Sequence, residues 1–201
     1  MGQYFKAFVQ EERKGAKGHI YGSLGKLTEF CYFDVKAATT ISAKLYKHKM
    51  KLCVMGDYAD YVLSEGKKYP KELSERYKEI WEKCWGNGYE EREEALGEIV
   101  EFDFKGKVLC NHARHTFMSF DEYSDRVMYL TPGGPFDAQI NPIFLLTAIG
   151  NKSGGNNGGD YYGCFEEDLG TWAMDTISIE DKAPKGYKQS YYCFVEPQEE
   201  P

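Results

Sequence analysis

Long apolar runs are missing from this chain. None approaches the roughly 18–20 residues needed to cross a bilayer, so no membrane span is expected. Basic charge is scarce too: Lys and Arg number 25 against 32 Asp and Glu, a formal net charge of -7 at pH 7. That balance supplies little to release counterions from a phosphate backbone, which disfavours direct nucleic-acid binding. Lys and Arg do not cluster with aromatics into a base-stacking platform either. The same balance permits the opposite role, a surface that competes with nucleic acid for a basic partner. The opening Met1 to Lys14 lacks a basic stretch followed by an apolar one, so no signal peptide is expected. Lys6 stands where myristoylation of Gly2 wants Ser or Thr. No C-x-x-C pair occurs; Cys31, Cys53, Cys84, Cys110, Cys164 and Cys193 are scattered singly, as reduced and mostly buried thiols of a cytoplasmic protein would be. H-E-x-x-H, G-x-S-x-G, the kinase signatures, the P-loop and G-x-G-x-x-G are all absent.

What is present fits one domain. The 201 residues are 42% hydrophobic, enough for a core, and 15% aromatic with 16 Tyr, which suits a sheet. The spacing predicts strands at Gln3–Val9, His19–Tyr21, Lys51–Met55, Lys107–Asn111, His115–Phe120, Arg126–Thr131, Trp172–Ile179 and Gln189–Val195. One helix is expected after an Asp34 cap, with Val35, Ala38, Ile41 and Leu45 on its apolar face. Another runs between Pro70 and Gly86 with Leu73, Tyr77, Ile80, Trp81 and Cys84 on one face. From Tyr89 to Phe104 the chain is acidic, part helix and part a strand through Ile99–Phe104. Pro142–Ile149 reads equally as a short helix or a buried strand. The expectation is a single α+β domain over residues 1–201: a mainly antiparallel sheet, two or three helices, and a frayed tail over 196–201.

Chemistry could reside in three places. The first is the loop of six glycines from Gly150 to Gly163, where Asn151, Gly158, Gly159 and Tyr161 would form a ligand-binding cradle of free backbone N–H groups. No Gly-Lys-Ser/Thr ends it, and Asp160, Glu166, Glu167 and Asp168 would repel phosphate. The bland reading is a surface loop joining two core segments. The second is a set of carboxylates: Gly56-Asp-Tyr58 and Gly159-Asp-Tyr161 repeat a triplet, and Asp175 follows Trp172 by three. Brought together, Asp57, Asp160 and Asp175 would hold Mg²⁺ or Mn²⁺, with Trp172 and Asp175 lining a ligand site. Alternatively each Asp caps its own turn. The third is Cys110-Asn-His112-Ala-Arg-His115. On a strand Cys110 and His112 share a face while His115 points away, so a closed zinc site is not expected, even with Cys164 as a fourth ligand. His112 facing an Asp remains a candidate general base. The acidic run offers Glu90, Glu91, Glu93 and Glu94 as a partner-binding surface, or simply as a solvated face.

Met1-Gly-Gln-Tyr-Phe-Lys-Ala7, Gly56-Asp-Tyr-Ala-Asp60, Asn111-His112, Leu145-Leu-Thr-Ala148, Gly158-Gly-Asp-Tyr161 and Gly170-Thr-Trp-Ala-Met-Asp175 are spread over nearly the whole chain. Together they resemble a family of uncharacterised proteins from Gram-positive Firmicutes and their phages and prophages. That family's Lys-Leu-Met-Glu-His run is here Lys26-Leu-Thr-Glu-Phe30, so the resemblance implies no shared role for that segment. It implies an origin rather than an activity. Two functional expectations follow. One is a cytoplasmic binding protein, of phage type and countering host defence, whose acidic surface engages a host protein's basic surface. The other is a metal-assisted hydrolase, or a sequestering protein, for a nucleotide-like small molecule, with Asp57 and Asp160 beside His112 as the catalytic set.

Overall fold

Strand β1 (Phe5–Glu11) is buried on both faces through Val9, and the two sets of alternating side chains go to two different cores. Phe5, Ala7 and Val9 enter one apolar cluster, and Phe8 enters a second. The computed structural model describes residues 3–26, 35–60, 70–86, 93–94, 100–124, 128–129, 137–138, 141–150 and 168–191. Its elements in chain order are β1, β2 (Gly18–Gly25), α1 (Lys36–Leu45), β3 (Met50–Gly56), α2 (Lys71–Trp85), β4 (Glu93–Glu94), β5 (Val108–Asn111), β6 (Thr116–Ser119), α3 (Asp121–Ser124), β7 (Met128–Tyr129), β8 (Asp137–Ala138), α4 (Pro142–Thr147), β9 (Ala148–Ile149), β10 (Thr176–Glu180) and β11 (Lys188–Gln189).

The main sheet runs β11-β6-β5-β10-β3-β1-β2-β4, with β9 also paired to β3. Most pairs are antiparallel; β11 with β6, β2 with β4 and β3 with β9 are parallel. Thr176 pairs with Lys51 near the start of β3, whereas Ala148 pairs with Val54 near its end. A separate antiparallel pair joins β7 to β8. The α+β expectation with a mainly antiparallel sheet therefore holds; the described residues contain four helices, two of them long.

Helix α1 lies over the first face, burying Ala37, Ala38, Ile41 and Leu45 against Leu52, Val54, Ile177 and Ile179. Its end is set by Lys47, which at φ 60 takes the left-handed turn that stops a helix. The Lys47 N–H then donates to Ile179 O of β10. Val35, not Asp34, is the N-cap, and it makes no side-chain bond; Asp34 lies outside the described residues. Helix α2 covers the second face. Starting after Pro70 and stopping at Gly86, it buries Ser74, Tyr77, Ile80 and Cys84 against Phe8, Cys53 and Met55. Leu73 was expected on that stripe and is 41% exposed, because Ser74 one position on is the residue that faces the sheet.

Pro142–Ile149 resolves as both alternatives in succession, α4 and then β9. Asn141 caps the helix by accepting from Ile143 N–H, and Pro142 occupies the first turn, where no donor is needed. All six residues of α4 are buried. Its last carbonyls are satisfied from a distant turn, since Gly170 N–H donates to Leu145 O and Trp172 N–H to Leu146 O. Expected strands shorten elsewhere. Residues 100–104 are irregular, Met128–Tyr129 is what is described of Arg126–Thr131, and Trp172 to Asp175 form turns before β10 begins.

Candidate functional site

In β10 the apolar residues Ile177 and Ile179 alternate with Thr176, Ser178 and Glu180. The apolar pair joins the first core, so the polar set faces the other side of the sheet. Register places Ser178 opposite Cys110 of β5, and His112 follows on the same side. The His112 ring is half-buried and bonded at both nitrogens: Nδ1 lies 2.8 Å from the Tyr187 hydroxyl and Nε2 lies 2.8 Å from Ser178 Oγ. Ser178 in turn donates to Glu180 Oε1 at 2.6 Å. Burial holds the imidazole below its ordinary pKa, helped by the Lys49 ammonium and opposed by Glu180 and Glu12. Cys110 is buried beside it, and burial with the nearby Glu180 pushes its thiol up to about 12. A thiol raised in this way favours its protonated, weakly nucleophilic form.

The hairpin between β5 and β6 corrects one expectation. His115 takes a left-handed turn at φ 54, and its ring comes within 5.4 Å of the Tyr187 ring, on which His112 also packs at 5.7 Å. The two histidines therefore share Tyr187 instead of pointing apart.

His112 does not face Asp175. The Asp175 carboxylate Oδ2 accepts from Asn111 Nδ2 at 2.8 Å and from Arg114 Nε at 2.7 Å. Arg114 also donates to Thr171 O, and Asn111 Oδ1 accepts from the Ala113 and Arg114 N–H groups. Asp175 thus ties the hairpin turn to the 168–175 turns. Trp172, expected as a ligand platform, is fully buried in the first core.

Asp57 sits at the far end of β3. Its carboxylate accepts the Tyr4 N–H at 3.1 Å, its own N–H donates to Tyr4 O, and its carbonyl accepts from Trp81 Nε1. Burial raises its pKa, and Asp60 adds to the rise. Lys51, the partner of Thr176, stands six residues before Asp57 on the chain. At about 3.3 Å per residue this separates Asp57 from the Asp175 end by roughly 20 Å. One cation cannot bridge them, which corrects the three-carboxylate site. Among the described residues no group of three His, Cys, Asp or Glu could hold a metal ion. Asn151, Gly158, Gly159, Asp160 and Tyr161 lie outside the described residues, as do Glu90 and Glu91.

Of the acidic run, Glu93–Glu94 forms β4, which pairs with β2 and is the last of the described strands on that side of the sheet. Glu94 is exposed and 2.5 Å from His19 Nδ1, a bond that holds its carboxyl below the usual range. Ser178, Tyr187 and the role of Arg114 were missed by sequence reasoning. Polar residues at every second position of Thr176–Glu180 were a readable signal for Ser178. Tyr187 carried none, because its contact crosses 75 residues. No helix among the described residues is long and apolar enough to cross a membrane. Comparison with protein-family models, curated proteins and solved structures finds no match for this chain.

Proposed function

We propose that the chain is a binding protein whose acidic sheet edge engages a basic, nucleic-acid-binding surface of a partner protein in the cytoplasm. The observation that carries this reading is β4: among the described residues the acidic run reaches the last strand of the sheet, and Glu94 there is exposed with its carboxyl held below the usual range by His19. An exposed carboxylate on the last of the described strands repels acidic chains and attracts basic ones. The net charge of -7 adds long-range attraction for the same class of partner. The family resemblance supports a phage or prophage setting, in which occupying a host protein's nucleic-acid channel would counter defence.

The hydrolase alternative, acting on a nucleotide-like small molecule with Mg²⁺ or Mn²⁺, is the weaker reading, because Asp57 and Asp175 stand at opposite ends of β3. Pull-down from host lysate tests the binding reading. Capture is expected to fall several-fold between about 50 and 200 mM salt. It should be competed by added duplex DNA and lost when Glu90, Glu91, Glu93 and Glu94 are all changed to Lys. Capture indifferent to salt and to charge reversal would overturn the reading.

A further inference from the structure

Net charge and its distribution point different ways in this molecule. The chain as a whole is acidic, at -7, yet one end of the main sheet is basic. Five neighbouring strands begin or end there. The turn from β1 to β2 carries Lys14 and Lys17, and Lys49 lies in the loop from α1 into β3. That loop is fastened to the turn, because the Glu12 N–H donates to Lys49 O at 3.1 Å. β10 ends at Glu180, with Lys182 just beyond it, and Glu180 pairs with Val108, where β5 begins after the Lys105 turn. The Lys47 N–H bond to Ile179 O holds the end of β10 level with the loop. All five lysines are exposed.

The segments 11–17, 47–51, 101–107 and 180–185 together carry ten Lys and Arg against six Asp and Glu, the reverse of the balance in the whole chain. Most of those acids are engaged. Glu11 pairs with Arg13 at 2.6 Å and Asp181 with Lys47 at 2.9 Å. Glu12 accepts from Thr176 and Glu180 from Ser178, both on the sheet itself. Asp103 and, from α3, Asp121 accept the Lys105 and Gly106 N–H groups. Among the described residues no carboxylate pairs with Lys14, Lys17, Lys49, Lys105 or Lys182. An exposed ammonium without a counter-charge keeps its attraction for an outside anion.

Neighbouring strands stand about 4.8 Å apart, so the row from β2 across β1, β3 and β10 to β5 is about 19 Å long. At one phosphate per 3.4 Å of axis, one strand of a duplex passes about five or six phosphates in that length. We propose that this basic end is a second interaction surface, which lies along the phosphate backbone of a nucleic acid. Lysine is a compact point charge, suited to phosphate and blind to base sequence, so the contact is non-specific. The segments 11–17, 47–51 and 180–185 carry no exposed large apolar side chain, which a membrane-surface anchor would use. Glu93 of β4 pairs with Ile20, so the acidic edge bounds the row at its β2 end. That edge and the net charge repel a polyanion from the rest of the molecule, which keeps the contact weak and confined to the lysines. The inference does not rest on the acidic edge as a binding surface.

Fluorescence anisotropy of the whole protein with a labelled DNA duplex of about 20 base pairs, repeated across salt concentrations, tests this. Binding at low salt should weaken with a slope of about -4 in log affinity against log salt, and equally for two unrelated base sequences. Lys14→Ala, Lys49→Ala and Lys182→Ala combined should reduce the magnitude of that slope by roughly three. Lys36→Ala, Lys71→Ala and Lys78→Ala combined remove the same charge from exposed positions on the two long helices and should leave the slope as it is. No binding at low salt, or the same loss of slope in both triple variants, would overturn the proposal. So would tighter binding to phosphatidylserine vesicles or to polyglutamate at equal anion concentration. The acidic-edge reading survives each of those outcomes, because it is tested by capture of a basic protein.

Discussion

The two halves of the sheet follow the same alternation and put it to opposite uses. Along β1 and β3 the second-face residues are Phe8, Cys53 and Met55, and helix α2 covers them with Tyr77, Ile80 and Cys84. Along β5 and β10 the same face carries Cys110, His112, Ser178 and Glu180, and a strap with one tyrosine lies across them. The apolar half gains from every atom removed from water. The polar half must return a hydrogen bond for each group it buries, and so becomes directional and sensitive to protonation. Stability should therefore be concentrated in the apolar packing, and dependence on pH in the His112 junction.

The largest expected effect belongs to the core. Trp172→Ala should cost about 3–5 kcal/mol in denaturant unfolding, because the indole is fully buried against Leu and Ile side chains. A change under about 1 kcal/mol would mean that Trp172 is a ligand platform after all. Gly56→Ala comes next. Its Cβ would lie 2.2 Å from Gln3 Nε2 and 3.1 Å from the Phe5 ring, and overpacking of that kind costs about 1–3 kcal/mol. Thermal melting would report it, with no change in binding capacity per folded molecule.

The polar half should yield smaller, condition-dependent effects. Asp175→Asn weakens the bond to Arg114, which is half exposed, so about 1 kcal/mol is expected after screening. Double-mutant cycles with Arg114→Ala would measure it. For His112 the sign follows from linkage. Its folded pKa is depressed below the ordinary 6.5, so between the two values the unfolded chain binds more protons. Stability should rise with pH through that window and be complete above about 6.5. Urea midpoints measured from pH 5 to 7.5 in the wild type and His112→Gln would isolate it, the variant showing the shallower slope. Smallest of all, Glu94→Gln should change stability by less than about 0.5 kcal/mol, since its pair with His19 is exposed. Its effect should appear in partner binding instead.

Much of the apolar half was legible in sequence. Phe5, Ala7, Val9 and Phe8 alternate within one short segment, and Tyr77, Ile80 and Cys84 recur at helical spacing between Pro70 and Gly86. These are local patterns whose burial needs only an apolar neighbour. Leu73 misled because a single turn of helix decides which of Leu73 and Ser74 faces inward. The site was legible only in part. Asn111-His112 stood out, yet their partners Asp175, Ser178 and Tyr187 lie 64, 66 and 75 residues away. Asp57 and Asp175 looked like a pair by residue type. Each instead bonds to its own distant segment, Asp57 to the Tyr4 N–H and Asp175 to Asn111 and Arg114, and contacts of that reach leave no local signal.

The binding reading turns on whether the sheet edge matters beyond total charge. Two charge-reversed proteins decide it: one with Glu90, Glu91, Glu93 and Glu94 changed to Lys, the other with the exposed α2 residues Glu72, Glu75, Glu79 and Glu82 changed to Lys. Both alter net charge equally. Partner capture at moderate salt should be lost in the first and largely kept in the second. Equal loss in both would mean that net charge alone drives capture, and would contradict the sheet edge as the binding surface.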